Sequence, residues 1–554
     1  LGNVFRELGR LDEAVASYNS ALKLNPNYAV AHYNMGDTLC VLNRLDEAIA
    51  SCNNALVINP EYYEAYNNLG KILMDQGKLD DAVINYQKSL SINPNYAEAH
   101  GNLGVAFVEL GQLDEGIASY NKAIALNPDF VEAHSNLGNA YSQLDRLDEA
   151  IACCQKAIGL KPDYADAYDT LGKMLFNVGK LEEGIHVYQK AIDLNPDDAV
   201  MHNNLGLLLE EQGRVQEAVT FYRKAIALDP NFNETYQKLG TVLQNMGNLD
   251  EAVAIYRKAL SIKPDDAKTH NYLGLALRAL GQLEEAIECF QRADDAHSRT
   301  NLLECVYALE QKDRFYELLD KIIVKDKGNR GVAAISAFAS NQFKCQDPYP
   351  FCKTPLEFIY INNIVSTRDQ ESGFSRTLQK QIDDVELDKR SQTLLKSGVQ
   401  SSGNLFLEPR GALADLDKMI RHEIAEYISA YKASDCYFIN NWPQKYNLNG
   451  WYILMEKGGH LEAHNHPEGW LSGVFYLRMP PTNSDEGSIE FSLHKKEFPI
   501  LDPDYPTKLY NVKEGDLVLF PSSLFHRTIP FYSDEERLCI AFDLNPVDIG
   551  SEMR

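Results

Sequence analysis

Apolar positions in roughly the first 300 residues follow helical spacing, and the whole pattern returns every 34 residues. Prolines stand at 26, 60, 94, 128, 162, 196, 230 and 264, inside phrases such as AIALNPDF (123–130) and AIDLNPDD (191–198). Two further columns keep the same phase. One is the glycine of an LG or MG pair at 36, 70, 104, 138, 172, 206, 240 and 274; the other is a small residue before Val or Ile, running from Ala14–Val15 to Ala286–Ile287. Each unit predicts two amphipathic helices that cannot bury their apolar faces alone and must stack on neighbours. Small residues let the helices approach closely, and proline ends the second helix because it cannot donate the next backbone bond.

From about residue 449 the period shortens to that of strands. Short apolar or alternating runs at 451–456, 470–479, 487–491, 516–520 and 537–544 are separated by Gly, Pro and charged clusters, which predicts an antiparallel sandwich or barrel. Between the two halves, 331–350 reads as one helix followed by a proline-bounded turn, and 365–400 as a polar loop. Residues 411–432 have helical apolar spacing on a face expected to cover the sheet, with His422 an exposed helix residue.

The 34-residue unit resembles the tetratricopeptide repeat. The resemblance implies a solenoid over 1–297 of about nine repeats, the first truncated. Leu1 aligns with Met35 and Leu69, so the sequence is expected to begin within a helix, with residues missing upstream. Ser298 replaces the proline of the next unit, and 298–350 is expected to hold divergent capping helices. The third domain spans 351–554 with its core at 440–546. The fold class is thus multidomain α + β: an all-α superhelix, then a double-stranded β-helix of jelly-roll or cupin type with flanking helices.

Composition narrows the partners. A net charge of −26 disfavours phosphate backbones, so no nucleic acid is expected. No run of eighteen apolar residues exists, so no membrane span is expected either. Ten cysteines without a CxxC pair suit free thiols in a reducing compartment, and a cytoplasmic location is expected. The oligomeric state is open.

Histidines then concentrate in GGHLEAHNHPEGW, which supplies His460, His464 and His466, and in FPSSLFHRT, which supplies His526. In an extended chain, H-x-H places two imidazoles on one face. A third from a distant strand would complete a set that leaves metal positions open for a cosubstrate and dioxygen. The segments HNHPEGWLSGVFYL, GDLVLFPSSLFHRTIPF and RLCIAFDLNP resemble the 2-oxoglutarate/Fe(II) oxygenase family often fused to tetratricopeptide repeats, a relative of the prolyl hydroxylases.

That resemblance implies Fe(II) and 2-oxoglutarate as cofactors, with His464 and His526 as metal ligands. It also implies Arg537, eleven residues past His526, as the anchor of the cosubstrate carboxylate. Tyr452 is a second candidate for the cosubstrate. The departure is at 466, where the superfamily has a carboxylate and this chain has histidine. His466 is the favoured third ligand; the alternatives are water in that place, or an oxygen from Glu462, Glu468 or Glu490.

Asparagines before the LG pair, at Asn34, Asn68, Asn102, Asn136 and Asn204, form a column similar to the asparagine ladder of the protein O-GlcNAc transferase solenoid. They are candidate contacts for a protein or peptide on the concave face. The expected function is a dioxygenase hydroxylating such a substrate. The alternatives are an oxygenase or halogenase of a small molecule, or an inactive scaffold for protein–protein interaction.

Overall fold

A computed structural model describes residues 1–365, 373–384, 389–390, 394–481, 485–496 and 498–547. Packing divides the chain into two compact units, Leu1–Met246 and Gly247–Arg554.

In the first unit, 13-residue helices such as Tyr63–Asp75 alternate with 14-residue helices such as Leu79–Ile92. The glycine of the LG pair is where the two meet. A Cβ built at Gly70 would fall 2.6 Å from the Tyr86 ring, and one at Gly104 would fall 2.6 Å from Tyr120, so no side chain fits there. A further column with the same period fixes the turn between the helices. Gly9, Gly77, Gly111, Gly179 and Gly213 all have positive φ, and Asn43 and Asp145 take their place with φ of 57° and 59°. Those two residue types tolerate the left-handed region best after glycine.

A third column uses histidine structurally. His32, His100, His134 and His202 each place Nε2 within 2.9–3.2 Å of the carbonyl of the proline six residues earlier. The carbonyl of the proline in the turn between repeats is satisfied this way.

The second unit opens with helices Leu249–Ile262 and Ala267–Ala279 of the same type. The next helix, Leu283–Ala293, is cut to 11 residues: Asp294 turns left-handed, and Asp295 caps the following helix by accepting from Ser298 N–H at 2.7 Å. The expected divergent pair is present as Ala296–Ala308 and Lys312–Lys325, and the expected single helix as Arg330–Gln342. This last helix is almost wholly buried because the β-region packs on it. Phe338 stacks on Phe498, and the Gln342 carboxamide accepts from the N–H groups of Leu501 and Asp502. By packing, the division of the chain therefore falls inside the repeat array.

The β-region comprises two antiparallel sheets. Its strands are β1 (Tyr360–Asn363), β2 (Lys389–Arg390), β3 (Leu395–Ser401), β4 (Tyr446–Leu461), β5 (Leu471–Arg478), β6 (Ile489–Ser492), β7 (Thr507–Tyr510), β8 (Asp516–Pro521), β9 (Phe525–Thr528) and β10 (Arg537–Pro546). The larger sheet has the order β1-β8-β5-β10-β4-β3-β2 and the smaller β7-β6-β9. Strands β5, β8 and β10 are buried on both faces, which explains why they read as continuous apolar runs without alternation.

The helix Gly411–Tyr431 packs as its spacing predicts, with His422 exposed. Its buried Glu423 accepts from Tyr360 Oη and Asn362 Nδ2 of the edge strand β1. The expectation of a loop over 365–400 is corrected: a helix at Phe374–Asp384 and strand β3 lie there, and 366–372, 385–388 and 391–393 are outside the described residues. Strand β3 escaped notice because Lys396, Ser397 and Gly398 interrupt its apolar pattern, and Ser397 has a positive φ of 46° where the register with β4 shifts.

Candidate metal and cosubstrate site

The H-x-H segment lies just past the end of β4, and His526 lies on β9. An antiparallel bridge joins them: His464 N–H donates to His526 O at 3.1 Å, and His526 N–H donates to His464 O at 2.9 Å. The backbone thus brings distant stretches of sequence to one point. A nitrogen of each of His464, His466 and His526 lies within 4.8 Å of the others, and this is the one such cluster of potential ligands among the described residues. His460 is outside it, with Nδ1 3.0 Å from Gly458 O.

The donor set suits a divalent transition metal. His464 Nδ1 donates to Glu462 O at 2.8 Å and His466 Nδ1 to the Asp543 carboxylate at 2.9 Å, which leaves Nε2 of both rings available. Burial pushes the His464 pKa down to about 4 and that of His526 well below its ordinary value, with the neighbouring imidazoles adding to both shifts. A metal requires the neutral imidazole, and burial favours that form. The His466 ring is held between Trp451, stacked at 5.9 Å, and His526, stacked at 5.2 Å.

The three glutamates weighed as substitutes are engaged elsewhere. Glu490 pairs with Arg527, Glu468 with His297, and Glu462 lies 3.8 Å from Lys496.

The cluster lines a cavity of about 130 Å³ between the two sheets, walled by Ile453, Val474, Ile489 and Phe520. Arg537 lines the same cavity. It is 1% exposed, donates to Gly487 O at 2.7 Å and lies over the Tyr476 ring, while its Nε has no hydrogen-bond partner. Among the described residues no carboxylate pairs with it. A buried guanidinium without an anion is costly, and it is a ready seat for the carboxylate of a ligand. By contrast, Arg478 pairs with Glu536 and Arg527 with Glu490.

Tyr452 is not part of this site. Trp451 and Ile453 line the cavity, so the alternation of β4 sends Tyr452 to the opposite face, where it is buried. Sequence reasoning also missed Trp451, Gln400 and Thr528, which line the cavity from β4, β3 and β9. The alternation of WYILME about Tyr452 was the available signal for Trp451; nothing in the sequence pointed to Gln400.

Asn34, Asn68, Asn102, Asn136 and Asn204 sit half-buried on the first helices of their repeats in the first unit. Asn102 donates to Asn67 Oδ1 at 3.0 Å, Asn204 to Asp169 Oδ1 at 2.9 Å, and Asn68 to Asp37 Oδ1 at 3.5 Å, in each case one repeat back.

Comparison with known families agrees with both halves. The family model described as "Putative 2OG-Fe(II) oxygenase" matches residues 449–543. Models of the tetratricopeptide repeat match 2–40, 36–77 and 267–293, and that of the cilia and flagella-associated protein 70 C-terminal domain matches 58–271. The chain is a tetratricopeptide-repeat protein with a C-terminal domain of this 2OG-Fe(II) oxygenase family. Fe(II) and 2-oxoglutarate are the cofactors that the family implies.

Similar solved structures include MamA (28% identity, 30% of this chain and 96% of that one, TM-score 0.28) and the TPR protein YrrB (24%, 33% and 95%, TM-score 0.29). PilF of Pseudomonas aeruginosa is also similar (19%, 38% and 96%, TM-score 0.35). No curated protein sequence matches the chain. Among the described residues no helix is long and apolar enough to cross a membrane.

Proposed function

We propose that this protein is an Fe(II)- and 2-oxoglutarate-dependent dioxygenase that hydroxylates a protein or peptide held by its repeats. The observation that carries the reading is one cavity lined by a cluster of three imidazoles and by a buried arginine that no carboxylate pairs with among the described residues. His464, His466 and His526 would hold the metal, and Arg537 would hold the carboxylate of the cosubstrate remote from it. When bound, these cofactors supply activation of dioxygen, coupled to oxidative decarboxylation of 2-oxoglutarate to succinate and carbon dioxide.

The chain's own residues bind, orient and exclude water. The Nδ1 hydrogen bonds of His464 and His466 fix their rings, and the apolar walls keep solvent from the reacting centre. A stacked repeat array offers an extended binding surface that a small metabolite does not need, which favours a polypeptide substrate.

The test is succinate release from 2-oxoglutarate by protein supplied with Fe(II) in air, with and without candidate peptides. Turnover that His464→Ala abolishes is expected. Turnover at equal rates in wild type and His464→Ala would overturn the assignment, and absence of turnover under every condition would favour a binding scaffold.

A further inference from the structure

At position 466 the oxygenase resemblance leads one to expect a carboxylate, and the chain has an imidazole. A carboxylate is nevertheless at hand, one bond further out. Asp543 comes from β10 and is buried, with Oδ2 2.9 Å from His466 Nδ1 and Oδ1 accepting from Ser472 Oγ at 2.7 Å. Ser472 Oγ lies 2.8 Å from Ser522 Oγ, and Ser522 O accepts from His466 N–H at 3.0 Å. The network therefore grips His466 by both backbone and ring.

Space for it is kept open by Gly469, where a Cβ would fall 2.7 Å from Ser522 Oγ and 3.2 Å from Asp543. Among the described residues no Lys or Arg pairs with Asp543, so the imidazole and the Ser472 hydroxyl are the groups that face its charge.

Stacking between Trp451 and His526 fixes the plane of the His466 ring but not its rotation within that plane. The hydrogen bond to Asp543 fixes the rotation and selects the tautomer with Nε2 bare. We infer that Asp543 is the positioning residue of the metal site, orienting His466 and returning through its imidazole the negative charge that a carboxylate ligand would otherwise supply. A metal held by three neutral imidazoles keeps its full charge inside a low-dielectric cavity, and an anion hydrogen-bonded to one ligand offsets that cost. The inference rests on the metal reading proposed above.

The test is equilibrium affinity for Co(II), measured on the full chain by competition with a chromophoric chelator, together with the visible spectrum of the bound ion. Wild type should bind one Co(II). Asp543→Asn keeps an acceptor but removes the charge, and should weaken binding 10- to 100-fold, the usual effect of losing such a partner.

The decisive comparison repeats Asp543→Asn in a His466→Asp background. There the imidazole that Asp543 orients is gone, so removing the charge of Asp543 should cost much less affinity than it does with His466 in place. A substitution that merely loosened the fold would weaken binding by the same factor in both backgrounds. Equal affinity of wild type and Asp543→Asn, or the same fold-change in both backgrounds, would overturn the role of Asp543. Failure of wild type to bind Co(II) at one equivalent would overturn the metal reading and this inference with it.

Discussion

His464 and His526 hydrogen-bond to each other through their backbones, at 3.1 and 2.9 Å, and their ring centroids lie 4.4 Å apart. The relative position of the two rings is thus set by a pair of ladder bonds and not by side-chain packing alone. Pre-positioned ligands lose little freedom on binding, so each should matter fully. Purified protein should take up one equivalent of Fe(II). His464→Ala or His526→Ala should lower affinity at least 100-fold, more than the loss of an outer partner costs, as measured anaerobically by chelator competition. Wild-type metal content in both variants would remove the metal from this cavity.

Arg537 tests the other end of the site. Replacing it with alanine should raise the KM for 2-oxoglutarate about tenfold or more, since a charge-assisted hydrogen bond contributes about 1.5–3 kcal/mol and about 1.4 kcal/mol is a factor of ten. Metal content should stay unchanged. Arg537→Lys should recover part of the loss, because it keeps the charge but not the planar fork. An unchanged KM would place the carboxylate anchor elsewhere, although Arg478 and Arg527 already have carboxylate partners.

The repeats were legible because eight prolines and eight glycines each mark a physical constraint that recurs at one spacing. The gathering of His464 and His466 was legible because H-x-H places two rings together by local geometry. Asp543 was not, because its partner is set by the pairing of β10 with β5, where it lies opposite Ser472, and strand pairing is non-local. Tyr452 was misassigned because facing in a strand shifts with one residue of register. Histidines outside the cluster serve the fold: His32, His100, His134, His202 and His270 bond proline carbonyls at repeat boundaries.

Acid should destabilise the metal-free protein through the buried His464. An unfolded histidine takes up its proton near pH 6.5, whereas buried His464 resists until about 4. Between those values the unfolded chain binds more protons, so the contribution of His464 is complete above pH 6.5 and is lost as pH falls toward 4. The slope it adds is at most about 1.4 kcal/mol per pH unit. Denaturant unfolding with EDTA from pH 4.5 to 7.5 should show a smaller pH dependence in His464→Asn than in wild type. Identical slopes would mean that His464 is not held neutral by burial.

Arg330 ties the end of the repeat array to the ligand loop. Its Nε and Nη2 donate to the carbonyls of Pro467 and Glu468 at 2.9 Å each, directly after His466, and His297 bonds the Glu468 carboxylate at 2.9 Å. Arg330→Ala should lower stability by about 1–3 kcal/mol and weaken metal binding severalfold, because the carbonyls that define the loop lose their donors. Chelator competition and denaturant unfolding on the same sample separate the two effects. Reduced stability with unaltered affinity would show that the junction supports the fold without supporting the metal site.

The last prediction concerns how a substrate would reach this site. Residues from Gly247 onward pack as one unit in which His297, Tyr307 and Arg330 of the helices hydrogen-bond the β-region, so the informative truncation begins at 247. That fragment should bind Fe(II) as wild type does and consume 2-oxoglutarate slowly without substrate, but lose turnover on a polypeptide substrate. Within the full chain, Asn102 commits an amide N–H to the preceding repeat, which leaves its carboxamide oxygen to accept from an extended backbone. Replacing Asn68, Asn102 and Asn136 together with alanine should therefore raise the substrate KM about tenfold or more while changing kcat little. Groups that grip remote parts of a substrate act equally in the ground and transition states. Unchanged KM in the triple variant, with an unchanged melting temperature, would remove the asparagine column from recognition. Full activity of the 247–554 fragment on that substrate would assign the first seven repeats to another task.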